Sequence, residues 1–155
     1  MSFRITGLDP APFRRFYGLS DEELRSLGVR RRIADVKPGF PDRVELVDAE
    51  PGEPLLLLNY LHQPADTPYK ASHAIFIREG AEAPYEGKDE APQALRIRPL
   101  SLRAFDAAGN ITDAALIDGA DLKAGVERLF ADPAAAYIHA HYAAYGCYAA
   151  RINRA

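Results

Sequence analysis

Leu55-Leu56-Leu57-Leu58-Asn59-Tyr60-Leu61 sends apolar side chains to both faces of an extended chain, a pattern that suits a strand in the middle of a sheet, covered on both sides. The turn-forming Glu50-Pro51-Gly52-Glu53-Pro54 launches it. Beyond it lies His62 to His73, an irregular stretch with two histidines, a tyrosine and a lysine, and Ala74 to Arg78 then reads as the next strand. Structureless connections of about a dozen residues between strong strands are often functional, so His62 and His73 become candidates at once.

The remaining elements follow from periodicity and punctuation. Phe3 to Thr6 reads as a short strand. Asp9-Pro10 and the capping box from Ser20 to Glu23 start two short N-terminal helices. Val29 to Val36 and Arg43 to Val47 are strand-like, and two prolines and a glycine within Lys37 to Asp42 forbid regular structure between them. The acidic, Pro- and Gly-rich Ala81 to Gln93 reads as a mobile loop. Leu95 to Phe105 reads as strand, either bulged or split at Pro99, and a turn at Asp106 to Asn110 leads into another at Ile111 to Ile117. Leu122, Val126, Leu129 and Phe130 form one stripe of a longer helix. Tyr137 to Arg151 is a terminal β-hairpin turning at Gly146, where a positive φ is needed. The expected fold is α+β in a single domain of 155 residues: a curved, mainly antiparallel sheet, barrel-like if it closes, with helices on one side. Leu56, Leu58, Ile75, Ile77, Leu122, Val126 and Leu129 are the expected core.

A formal charge of −3 with 26% charged residues implies no nucleic-acid surface, and Arg30-Arg31-Arg32 reads as a solvated edge. The longest apolar run falls far short of the ~20 residues of a membrane helix, and the N-terminus lacks the pattern of a secretory signal. One cysteine excludes an internal disulfide and suits a reducing, cytoplasmic setting.

Alternation places Tyr137, His139 and His141 on one face of the hairpin's first strand. His139-x-His141 offers two imidazoles ~6 to 7 Å apart, candidates for shared metal coordination if His62, His73 or Cys147 supplies a third ligand. Two ligands alone do not define a metal site, and hydrogen-bonded histidines are the reading favoured over a metal cofactor. Cys147 can act as a nucleophile with His141 as base, or be a small buried hydrophobe. Loop parity decides whether His141 lies across from Cys147 or from Tyr148. Arg103, Arg151 and Lys70 suit an anionic substrate or plain surface charge equally.

Lys37-Pro38-Gly39-Phe40-Pro41, the block from Leu57 to Gln63, Ser72 to Gly80, and the terminal His-x-His with Gly-Cys-Tyr-Ala and Arg151 together resemble a bacterial family catalogued as domain of unknown function 1203. That resemblance implies a cytosolic single-domain protein and assigns no catalytic residue. Two functional readings stand. One is a small-molecule or enzymatic site where the stretch from Tyr60 to His73 meets the hairpin, which is expected to pair with the strand ending at Tyr60 and His62; the site is built from Tyr60, His62, His139, His141, Cys147 and Arg151, with His139 and His141 the metal candidates. The other is a non-catalytic homodimer that uses a tyrosine-rich surface of Tyr137, Tyr142, Tyr145 and Tyr148.

Overall fold

In the computed structural model, which describes residues 1–155, the chain begins with β1 (Phe3–Thr6), a single 3-10 turn at Arg14–Phe16 and α1 (Asp21–Ser26). It continues through β2 (Arg30–Ile33), β3 (Pro54–Gln63), β4 (Ala71–Arg78), β5 (Glu86–Lys88) and α2 (Gln93–Arg96). Strands β6 (Pro99–Phe105) and β7 (Ile111–Asp118), helix α3 (Leu122–Phe130), and the hairpin β8 (Tyr137–Tyr142) and β9 (Tyr148–Arg154) complete it. The fold is α+β. Two antiparallel sheets form, one of six strands in the order β5-β1-β9-β8-β6-β7 and one of three in the order β2-β3-β4. The leucine run is thus a central strand.

Neither sheet closes, which corrects the barrel-like expectation: β5 and β7 remain edges of the larger sheet. A second correction concerns the hairpin, expected to pair with the strand ending at Tyr60 and His62. β8 has β6 on one edge and β9 on the other, and β9 pairs onward with β1, so no backbone edge is left for β3. The two sheets meet through side chains instead.

Local sequence accounts for most boundaries. Ser20 Oγ accepts the Glu23 amide at 3.1 Å and starts α1. Pro99 opens β6, where a missing amide proton costs least. Arg43 to Val47, expected as strand, instead makes turns with isolated bridges at Pro41–Asp48 and Asp42–Phe76, because Leu46 takes a φ of 54° that no strand allows. The expected loop Ala81 to Gln93 contains β5, which pairs with β1, and Leu95 belongs to α2 rather than to a strand.

Packing divides between two main clusters. Leu122, Val126, Leu129 and Phe130 of α3 pack with Leu100, Leu102, Ile138, Ala140 and Ile152 of the larger sheet. Leu56, Leu58, Ile75 and Ile77 of the smaller sheet pack with Phe13, Phe16, Leu24 and Val29 of the N-terminal segment. Every expected core residue is buried. No helix is long and apolar enough to cross a membrane. The face of the larger sheet turned away from α3 carries the histidines.

Candidate functional site

Strand register arranges the site in rows. On β8, His141 pairs with Tyr148 of β9 and Ser101 of β6, while His139 pairs with Arg151 and Arg103. A third row joins Tyr137 to Asn153 and Phe105. The hairpin closes with the Gly146 amide donating to the Tyr142 carbonyl at 2.8 Å and the Tyr142 amide to the Cys147 carbonyl at 2.9 Å. Four residues therefore lie between Tyr142 and Cys147, and that parity sets His141 opposite Tyr148. A bulge then shifts the register between His141 and Ala140, which brings Arg151 beside His139.

The smaller sheet supplies the opposing wall. Alternation along β3 carries Leu56, Leu58, Tyr60 and His62 to one face, and along β4 His73, Ile75 and Ile77 to the same face. The leucine and isoleucine end meets the N-terminal segment; the Tyr60, His62 and His73 end meets β8 and β9. Tyr60 joins the two, packing 6.2 Å from Phe13 and 5.8 Å from Tyr148 between ring centroids.

All four histidines of the chain converge there. The His62 ring lies 4.9 Å from His73, 5.0 Å from His141, 5.9 Å from His139 and 5.2 Å from Tyr148. His62 Nε2 and His73 Nδ1 are 2.9 Å apart with ring planes only 9° from parallel, so the two imidazoles meet edge to edge around a shared proton. His141 Nδ1 donates to the Gly146 carbonyl at 2.9 Å, which leaves Nε2 as the bare lone pair of the neutral ring. That nitrogen is buried without a partner, as are Nδ1 of His62 and Nδ1 of His139. One nitrogen each from His62, His73 and His141 falls within 4.8 Å of the others.

The imidazoles are held neutral. Burial, reinforced by Arg103 and the neighbouring histidines, pushes His141 down to about 3 against the opposing pull of the Gly146 carbonyl. His139 falls to about 3 through burial, His62, Arg151 and Arg103, and His62 to about 4 through burial, His73 and Arg103. His73 is lowered by burial and by Arg103. Neutral imidazole is the state that binds metal.

The family model described as a protein of unknown function, DUF1203, matches residues 39–154. The chain belongs to the DUF1203 family. Comparison with curated proteins and with solved structures finds no match.

Within this DUF1203 chain, Tyr60, His62, His139, His141 and Arg151 come together, and the sequence candidates part company at two points. His139 shares a face with His141 but stands outside the ligand triad; His62 and His73 approach the His141 end of β8. Cys147, just before β9, packs against the α3 core and accepts a hydrogen bond from Arg43 Nη2 at 3.1 Å. It faces a 380 Å³ cavity bounded by Pro38, Phe76, Arg98 and Tyr145 and stands outside the histidine triad. Cys147 and His73 both line an adjacent 550 Å³ cavity, whereas His62, His139 and His141 line none of these cavities. Of the hairpin tyrosines only Tyr145 is exposed, at 92%; Tyr142 and Tyr148 are buried and Tyr137 half-buried, so they pack the interior of the protein rather than forming a surface patch. Sequence reasoning missed Tyr148 as the partner of His62 and Gly146 as the acceptor for His141. The parity that puts His73 on one face with Ile75 and Ile77 was a signal available for His73.

Proposed function

We propose that this DUF1203 protein binds a divalent transition metal of the zinc class through His62, His73 and His141 and uses it to hold a small molecule. The observation that carries the reading is the triad: three imidazole nitrogens within 4.8 Å, one of them set by the Gly146 carbonyl so that its free nitrogen is Nε2. A histidine ligand whose other nitrogen donates to a backbone carbonyl is the usual outer-shell arrangement of metal sites. Zinc–nitrogen bonds of about 2.0 to 2.1 Å put tetrahedral ligands about 3.4 Å apart, so when loaded the His62–His73 pair, 2.9 Å apart, opens by about 0.5 Å as the metal replaces the proton between them, while ligand pairs as far apart as 4.8 Å close up. Three protein ligands leave a fourth position for water or a small molecule, the pattern of catalytic rather than structural zinc. His73, half-exposed and lining the 550 Å³ cavity, is the side from which a ligand would arrive. The single cysteine suits a reducing, cytoplasmic setting.

Elemental analysis of protein dialysed against zinc tests this. One equivalent of metal is expected in wild type and in His139→Ala, with loss in His62→Ala and His141→Ala, each checked for folding by circular dichroism. Folded wild type that takes up no zinc, or triad variants that bind it as well as wild type, would sink the proposal.

A further inference from the structure

We infer that the site takes a small oxyanion, such as a carboxylate, bicarbonate or phosphate, between Arg103 and Arg151 and together with the metal. This deepens the metal reading and rests on it. Arg103, His139 and Arg151 are cross-strand neighbours on β6, β8 and β9, so an arginine stands on either side of His139 on the face that carries His141. Their forked geometry suits bidentate contact with an oxyanion.

Neither arginine has an acidic partner. Arg103 Nε donates to Ser101 Oγ at 3.3 Å and Arg151 Nε to Asn153 Oδ1 at 3.0 Å. The other arginines that are half-buried or buried differ from Arg103: Arg31, Arg78 and Arg98 lie against carboxylates, and Arg43 is held by two backbone carbonyls and Cys147 Sγ. Acidic residues outnumber basic ones in the sequence, 22 to 19, so carboxylates are not scarce. Arg103 is half-buried, and burial alone disfavours its charge. Arg151 is exposed, with its guanidinium 3.9 Å from the centre of the Tyr137 ring.

Arg103 acts electrostatically on all four imidazoles and Arg151 on His139, and no carboxylate offsets either. A dication held by His62, His73 and His141 meets the positive charge of Arg103 in a poorly solvated space, where repulsion is strong. An anion that bridges metal and guanidinium removes that repulsion, so metal and anion should bind cooperatively.

Cobalt(II), whose visible absorption reports its coordination, serves as the probe in a non-coordinating buffer, with acetate, bicarbonate and phosphate added in turn. At least one anion should tighten cobalt binding about ten-fold, within the usual range of coupling between sites. Arg103→Gln and Arg151→Gln should abolish that coupling while binding cobalt at least as tightly as wild type without anion, since each removes a repelling charge. Arg103→Lys, which keeps charge but not the fork, should fall between. Full cobalt stoichiometry with no response to any of the three anions would overturn the inference and leave the metal reading standing. If no cobalt binds at all, the metal reading fails and the inference falls with it as stated; anion-dependent thermal stabilisation lost in the arginine variants would then define a metal-free oxyanion site instead.

Discussion

Arg43 is 1% exposed and has no carboxylate partner. Its Nε donates to the Tyr148 carbonyl at 2.7 Å and Nη1 to the Pro41 carbonyl at 2.6 Å, and its guanidinium lies 4.8 Å from the centre of the Tyr142 ring. One side chain thereby ties the segment before β3 to the first residue of β9, next to His141. Arg43→Ala leaves two buried carbonyls without donors and opens a void, so urea denaturation should show a loss of about 2 to 5 kcal/mol. Arg43→Met refills the volume but not the hydrogen bonds and should recover only part. A change below about 0.5 kcal/mol, the range of ordinary surface substitutions, would show the side chain to be dispensable.

At the scale of elements, β3 and the β8–β9 hairpin make separable claims. Leu58 in β3 is 6% exposed among Phe13, Phe16 and Ile75, and Leu58→Ala should cost about 2 to 5 kcal/mol in the same denaturation experiment. Two glycines give a sharper contrast. Gly146 has a φ of 75° with nothing within 4 Å of a Cβ built there, so Gly146→Ala pays only for the left-handed backbone, about 1 kcal/mol. Gly119 puts a Cβ 2.0 Å from the Leu95 carbonyl oxygen and 2.5 Å from that of Arg98, both backbone atoms that cannot turn aside. Gly119→Ala should therefore lower the melting temperature well beyond Gly146→Ala; equal shifts would contradict the tight passage between α2 and α3.

For the molecule as a whole, the layer between the sheets predicts acid lability. Folded histidines held at about 4 for His62 and about 3 for His139 and His141 bind fewer protons than the same residues in the unfolded chain, which titrate near 6.5. The unfolded state therefore gains as pH falls, and the stabilising contribution, complete above about 6.5, is lost downward through the folded values. Each buried histidine loses about 1.4 kcal/mol per pH unit within that window. Melting curves should be flat from pH 8 to 7 and fall steeply between 6.5 and 5. Saturation with zinc at a hundred times its dissociation constant should add about 2.7 kcal/mol at neutral pH. A melting temperature constant down to pH 5 would argue against buried neutral imidazoles.

Local pattern determined what local physics controls. The apolar run Leu55–Leu61 had to be a central strand, the stripe from Leu122 to Phe130 a helix, and Tyr137, His139 and His141 neighbours on one face, because side-chain direction follows from backbone repeat alone. Gly146 marked the hairpin turn, but its four-residue closure and the bulge beside His141 were not legible, since both depend on how the strands pair. Only the tertiary structure decided that β3 confronts the hairpin across a side-chain layer, that His73 reaches His141 while His62 reaches both His141 and His139, and that Cys147 turns toward Arg43. Periodicity says which residues share a face. Which two faces meet is settled by packing between segments some 70 positions apart, where burial of Tyr60, Tyr148 and four imidazoles outweighs any local preference.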